Sequence, residues 1–95
     1  MEVHIDHNLQ EQTFYAQVEG EEAELAYSLP EEGIIDFQHT FVPESLRGQG
    51  VGEQLVEAGF AYAKDNGMKI LATCRFVAAF VKRHASEYEA LLAKN

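Results

Sequence analysis

A chain of 95 residues with 46% hydrophobic and 11% aromatic residues can bury one modest core, and we expect a single domain over residues 1–95. The net charge of −9 disfavours nucleic acid and anionic membranes as partners, because both carry negative charge. No apolar run approaches the roughly 20 residues that cross a bilayer, and the first residues do not resemble a signal peptide, so we expect a cytoplasmic protein.

Four runs of alternating polar and apolar residues predict strands in the first half of the chain. They cover residues 3–6, 13–18, 23–29 and 34–42. The turns between them are too short for anything but antiparallel neighbours, which predicts a four-stranded meander. In the third strand the alternation places Leu29 on the same face as Ala23, Leu25 and Tyr27.

After Pro43 the hydrophobic pattern changes to that of a helix, which is predicted to run from Val51 to the DNG turn at residues 65–67. The apolar segment 69–73 predicts a buried strand, and a right-handed crossover places it parallel to the fourth strand. A helix near residues 76–84 and a last helix from Ser86 follow. The predicted fold class is α+β, with a meander, a helix, a parallel fifth strand and C-terminal helices.

Glycines at positions 48, 50 and 52 precede the long helix. The first N–H groups of a helix are unpaired and partly positive, so a loop without β carbons lets a phosphate approach them. Residues 1–46 carry 11 Asp and Glu residues and no Lys or Arg, so we expect any anion to bind in the second half. The spacing differs from that of a dinucleotide fingerprint, and Glu53 after Gly52 excludes a Walker loop.

The pattern R-x-x-G-x-G at residues 47–52 follows HT-V-P at residues 39–43 and precedes C-x-F-V at residues 74–77. Together these motifs resemble the short, single-domain branch of the GNAT acetyltransferases, over nearly the whole chain. The resemblance implies a minimal GNAT fold and acetyl-CoA or coenzyme A (CoA) as ligand. We expect no metal ion, and a monomer or weak homodimer. The implied CoA-binding residues are Phe41, Val42, Arg47, Gly48, Gln49, Gly50, Val51 and Gly52. The pyrophosphate then binds the amides of residues 49–52, and the pantetheine arm lies where the fourth and fifth strands splay apart.

His39 is a candidate base for the amine proton. It is predicted on the same face of the fourth strand as Ile35, Phe37 and Phe41, as a polar group on an apolar stripe. The alternative is a histidine that only forms a hydrogen bond at the edge of the core.

Cys74 is the second candidate catalytic residue and is predicted at the end of the fifth strand. As the only cysteine of the sequence, it forms no internal disulfide. Its thiol either protonates the leaving thiolate, receives the acetyl group, or only packs. Larger GNAT enzymes often have a tyrosine acid on the next helix, where this chain has Phe76 and Phe80. That role is therefore unfilled, or has moved to Cys74 or Tyr88.

The function implied by the resemblance is transfer of an acetyl group from acetyl-CoA to an unknown amine. GNAT domains commonly have two helices between their first strands that build the acceptor site, whereas here a short turn joins residues 6 and 13. We expect the acceptor side to be open or to be completed by another molecule. The alternatives are a non-catalytic module that binds CoA or acyl-CoA, and a small acidic interaction protein with a structural loop.

Overall fold

The computed structural model describes residues 2–93 and contains a five-stranded sheet in the order β1-β2-β3-β4-β5. The strands are β1 (His4–Asn8), β2 (Thr13–Val18), β3 (Glu21–Glu31), β4 (Ile34–Phe41) and β5 (Lys69–Ala72). The helices are α1 (Val51–Asp65), α2 (Arg75–Arg83) and α3 (Ala85–Tyr88), with 3₁₀ turns at Glu44–Leu46 and Glu89–Leu91. The first four strands pair antiparallel and β5 pairs parallel with β4, which confirms the predicted topology.

One face of the sheet supplies much of the hydrophobic core. Its buried residues on β2 and β3 are Phe14, Ala16, Val18, Ala23, Leu25 and Tyr27. This alternation is the predicted one, because successive side chains of a strand point to opposite faces. Leu29, which was expected on this face, is not part of the buried core. The pairing of β3 with β4 shifts register between Ser28 and Glu31, and Leu29 is 45% exposed.

α1 packs its apolar stripe on this face of the sheet. The buried residues of the helix are Val51, Gly52, Leu55, Val56, Gly59, Phe60 and Ala63. The backbone approaches the sheet closely at Gly59, where an added β carbon would lie 2.7 Å from Cε1 of Phe37. The helix ends at Asp65, and Gly67 turns the chain with a φ of +66°, as the DNG sequence predicts.

α2 and α3 pack against α1. The rings of Phe60 on α1 and Phe80 on α2 have centroids 5.8 Å apart, and the ring of Tyr88 lies 4.9 Å from that of Phe60. Both C-terminal helices begin one residue before their predicted starts, and α3 is a single turn. Within residues 2–93, none of the helices combines the length and apolarity needed to span a bilayer.

The other face of the sheet, here called the open face, has exposed or half-buried side chains, except for Thr13. It includes His4, Asp6, Tyr15, Gln17, Glu22, Glu24 and Lys69. An antiparallel sheet commonly leaves one face in contact with water. Because carboxylates outnumber cations among these residues, the open face has an acidic surface.

Candidate functional site

The pairing between β4 and β5 stops halfway along β4. Residues 34–37 of β4 pair with Lys69–Ala72, and the backbone N–H of Cys74 then donates a hydrogen bond of 2.9 Å to the carbonyl oxygen of Phe37. Residues 38–41 continue β4 with no β5 residue opposite them. This edge of β4 therefore has unpaired backbone groups, at the place where the GNAT resemblance implies a splay between the two strands.

A β-bulge on β4 decides which side chains face the helices. Ala26 pairs with His39, whereas the next residue of β3, Tyr27, pairs with Phe37. One extra residue on β4 reverses the alternation beyond that point. The predicted face of His39 is therefore wrong: its side chain lies on the open face and is exposed.

The same bulge places Phe41 on the open face, contrary to the prediction, and turns Thr40 toward the helices. Phe41 pairs with Glu24 of the open face and is 45% exposed. Thr40 pairs with the buried Leu25 and has its Oγ1 3.3 Å from Sγ of Cys74. The periodicity of the sequence did not reveal Thr40, because nothing in it marks the extra residue.

Cys74 is half-buried and directly precedes α2, of which it is the N-cap residue. β5 ends at Ala72, so Cys74 lies two residues beyond the strand that it was predicted to end. Its thiol contacts the Thr40 hydroxyl across the point where β4 and β5 part. The geometry brings Cys74 and Thr40 together and leaves His39 on the other face of β4.

A cavity of about 390 Å³ extends from the unpaired edge of β4 to the start of α1. It is lined by Thr40, Phe41, Val42, Leu46, Arg47, Gly48, Gly50, Val51, Gly52, Glu53 and Phe76. Seven of the eight predicted CoA-binding residues are among them. Gln49 is not, and its side-chain amide donates a hydrogen bond to the backbone carbonyl of Ser45 at 3.0 Å. His39 and Cys74 do not line this cavity either.

The three glycines of the loop have different structural roles. Gly48 and Gly50 have φ of +81° and +80°, a conformation that residues with a β carbon rarely adopt, and an added β carbon at either meets nothing within 4 Å. Gly52 is helical, and a β carbon there would lie 2.7 Å from Cζ of Phe76. Close packing and backbone conformation thus require these glycines, in addition to the phosphate approach that the sequence suggested.

The start of α1 faces the cavity without a side-chain cap. Gly50 is the N-cap residue, and the first intrahelical bond runs from the N–H of Gln54 to the carbonyl of Gly50. The N–H groups before Gln54 therefore have no partner in the helix. Unpaired N–H groups and the helix dipole together favour a bound anion.

Two arginines and one carboxylate set the charge around this helix start. Arg47 lines the cavity, and its Nε donates a hydrogen bond of 3.0 Å to the carbonyl oxygen of Val42. Glu53 also lines the cavity, and its Oε2 lies 3.7 Å from Nη2 of Arg83 at the end of α2. The sequence did not indicate that Glu53 and Arg83 form a pair, because they lie on different helices.

Tyr88 lies outside this cavity, against the rings of Phe60 and Phe80. Burial raises the pKa of its hydroxyl, and the negative charges of Glu87 and Glu57 add to the shift. The phenol therefore stays protonated at neutral pH. This position outside the cavity disfavours Tyr88 as the acid.

The chain is similar to known proteins over most of its length. Residues 13–91 match the family model described as GCN5-related N-acetyl-transferase. "Protein NATD1" from Mus musculus is 29% identical over 84 residues, which cover 86% of this chain and 76% of the mouse protein. "Protein NATD1" from Homo sapiens is 27% identical over 84 residues, which cover 86% of this chain and 74% of the human protein.

Similarity to a solved structure covers the whole fold. The solution structure of a "GCN5-like putative N-acetyltransferase" from Staphylococcus aureus is 31% identical and superimposes with a TM-score of 0.76. The match covers 97% of this chain and 89% of that chain. The mixed sheet and the glycine loop at the start of α1 define an acetyltransferase-like α+β protein. The chain belongs to the GCN5-related N-acetyltransferase (GNAT) family, which confirms the resemblance seen in the sequence.

Proposed function

We propose that this protein transfers the acetyl group of acetyl-CoA to an amine. The observation that carries the proposal is that the unpaired edge of β4 and the uncapped start of α1 open into the same cavity. An extended arm that ends in a pyrophosphate fits this combination, because backbone groups bind the arm and a helix start binds the anion. Family membership supports acetyl-CoA as the ligand with this shape.

In this proposal the start of α1 binds the pyrophosphate through backbone N–H groups. Arg47 adds positive charge from the loop, while its bond to the Val42 carbonyl holds the guanidinium beside the cavity. Residues 38–41 bind the pantetheine arm as an added strand, with Phe41 and Val42 closest to the loop. Because backbone groups supply much of this binding, the affinity for CoA depends on the positions of β4 and the glycine loop.

We assign His39 the role of base, because it lies exposed on β4 beside the unpaired edge. It accepts a proton from the amine as the nitrogen–carbon bond forms and the carbon–sulfur bond breaks. The thiol of Cys74, held near the Thr40 hydroxyl, donates a proton to the leaving sulfur. His39 then releases its proton to water and Cys74 takes one up from water, so both groups return to their starting states. Backbone N–H groups of β4 donate hydrogen bonds to the thioester oxygen.

The acceptor amine approaches from the open face in this proposal. β1 and β2 are joined by a turn at residues 9–12, so the two helices that build the acceptor site in many GNAT domains are missing at this point. The carboxylates of Asp6, Glu22 and Glu24 give this face negative charge, which attracts a protonated amine. His39 lies on the same face and meets the amine before it reaches the thioester.

A CoA-binding module without useful catalysis is the second candidate. The observation that favours it concerns the missing tyrosine acid: Phe76 lines the cavity on α2, and Tyr88 packs away from it. Under this alternative, Cys74 and Thr40 only pack against each other at the start of α2. The two candidates share the binding site and differ only in turnover.

Thermal unfolding with CoA, acetyl-CoA and adenosine tests the binding site. We expect CoA to stabilise the fold by about 2.7 kcal/mol at a hundredfold excess over its dissociation constant, and adenosine to do far less. Arg47→Glu should weaken CoA binding, with a part that depends on salt. Unfolding that millimolar CoA does not change would exclude both candidates and favour a small acidic interaction protein.

A screen of amine acceptors with acetyl-CoA then separates the two candidates. Acetylation of an amine above the uncatalysed rate, and its loss in a variant that no longer binds CoA, would support the transferase. Tight CoA binding with no acceptor acetylated, across small amines and lysine-containing peptides, would support the binding module.

A further inference from the structure

One side chain in the cavity opposes an anionic ligand. Glu53 lies in the first turn of α1 and lines the cavity. A carboxylate there interacts favourably with the positive end of the helix. The proposed pyrophosphate uses that same positive end, so Glu53 and the ligand compete for it.

Arg83 lies beside the Glu53 carboxylate, on the side of α2. Its Nη2 lies 3.7 Å from Oε2 of Glu53, and the two side chains are 57% and 41% exposed. Arg83 is the last residue of α2, a helix that contacts α1 through the rings of Phe76 and Phe80. The packing of α2 therefore keeps this positive charge beside the start of α1.

We propose that Arg83 controls the affinity for CoA by acting as a positioning residue for Glu53. This inference rests on the proposed function. Arg83 neutralises the carboxylate and draws it away from the unpaired N–H groups of α1, which leaves them to the pyrophosphate. Without Arg83, Glu53 is free to turn toward these groups and repel the ligand.

The adjacent Lys82 provides a matched control. It is exposed in the same last turn of α2 and forms no ion pair with any residue between 2 and 93. Lys82→Ala and Arg83→Ala each remove one positive charge from this turn, but only Arg83→Ala releases Glu53. Comparing them separates the effect of the pair from the effect of net charge.

The experiment is a double-mutant cycle on CoA affinity, measured by calorimetry at low ionic strength. The proteins are the parent, Glu53→Gln, Arg83→Ala and the double variant, with Lys82→Ala and Arg83→Lys alongside. Pantetheine, which lacks the phosphates, is the second ligand. Because the pair is exposed, we expect Arg83→Ala to weaken CoA binding about two- to fivefold. Glu53→Gln should strengthen it, and Arg83→Ala should have little further effect in the Glu53→Gln background.

Three further results are expected if Arg83 acts through Glu53. Arg83→Lys should retain most of the parent affinity, Lys82→Ala should weaken CoA binding less than Arg83→Ala, and pantetheine binding should not change in any variant. Equal losses from Arg83→Ala with and without Glu53, or equal losses in the Lys82 and Arg83 variants, would overturn the inference. Either result leaves the proposed function standing, whereas a parent protein that does not bind CoA removes both.

Discussion

The ring of Phe76 on α2 lies directly against Gly52 on α1, where a β carbon would come within 2.7 Å of Cζ and 3.0 Å of Cε2. This contact joins the first turn of α1 to the first turn of α2, and both residues line the candidate CoA cavity. The spacing of the glycine motif thus satisfies helix packing as well as ligand approach. A larger residue at position 52 therefore affects the ligand site by displacing the ring of Phe76.

Gly52→Ala and Gly59→Ala should differ in how much they lower the free energy of unfolding. Alanine gains up to about 1 kcal/mol of helix propensity over glycine, while overpacking typically costs about 1–3 kcal/mol. At position 59 the β carbon meets the fully buried Phe37, so we expect a net loss of about 2 kcal/mol. At position 52 the half-buried ring of Phe76 has room to move, and we expect a change below about 1 kcal/mol with weaker CoA binding. Urea denaturation and calorimetry measure the two effects. Equal losses of stability would contradict the assigned contacts.

Gly50→Val should lower the free energy of unfolding by about 1–2 kcal/mol, because a branched residue is strained at a φ of +80°. Gly50→Asn should lose less, since asparagine tolerates this conformation better. Both variants should also bind CoA more weakly, because the new side chain points into open space beside the start of α1.

Gly33 provides the control for this prediction. It has the same φ of +80° and the same open surroundings, in the turn between β3 and β4. Gly33→Asn should therefore lose a similar amount of stability to Gly50→Asn while keeping the parent affinity for CoA. Weaker CoA binding in the Gly33 variant would show that the effect at Gly50 is a general loss of stability.

His39→Ala and Cys74→Ala distinguish two routes of acetyl transfer. With direct attack by the amine, His39→Ala should lower turnover and change its pH profile, and Cys74→Ala should lower turnover less than His39→Ala does. With an acetyl-cysteine, Cys74→Ala should abolish turnover. We favour direct attack, because a thioester held in good geometry needs no covalent relay.

Mass spectrometry after exposure to acetyl-CoA, alongside turnover across pH, decides between the two routes. The Cys74→Ala protein is the control for any adduct on the parent. An acetyl group that depends on Cys74 and passes to an amine would overturn direct attack. Thr40→Val tests the positioning of the thiol, because it removes the hydroxyl 3.3 Å from Sγ. If the thiol donates a proton, Thr40→Val should lower turnover by a larger factor than it weakens CoA binding.

The fold should lose stability on mild acidification through His7. The His7 ring stacks on Phe14 with centroids 3.9 Å apart, and its Nε2 lies 2.6 Å from the hydroxyl oxygen of Tyr27. Burial lowers the pKa of His7. Burial, and then the neighbouring Tyr62, raise the pKa of Tyr27, so the phenol stays protonated beside the imidazole.

A lowered pKa in the folded state means that the unfolded chain binds the proton first as the pH falls. The contribution of neutral His7 is therefore present above about pH 6.5 and is lost as the pH falls through the folded pKa. We expect the urea midpoint to fall between about pH 7 and pH 5, and to fall less in His7→Gln. His4→Gln, on the open face of the same strand, should follow the parent. An identical pH dependence in parent and His7→Gln would refute the assignment.

Much of this protein was readable from local sequence. Alternation predicted the first four strands, the change of period after Pro43 predicted α1, and the R-x-x-G-x-G motif located five residues that line the cavity. These features are local, because a strand or helix pattern and a positive φ depend on neighbouring residues. The family could be recognised for the same reason, since its motifs are short and contiguous.

Only the tertiary structure decided which side chains meet around the cavity. The bulge on β4 placed His39 on the open face and Thr40 beside Cys74. It depends on how β3 and β4 pair, and one extra residue reverses every side chain beyond it. The Glu53–Arg83 pair likewise depends on the packing of α1 against α2. Periodicity describes one element at a time, so it cannot show a register shift between strands or a contact between helices.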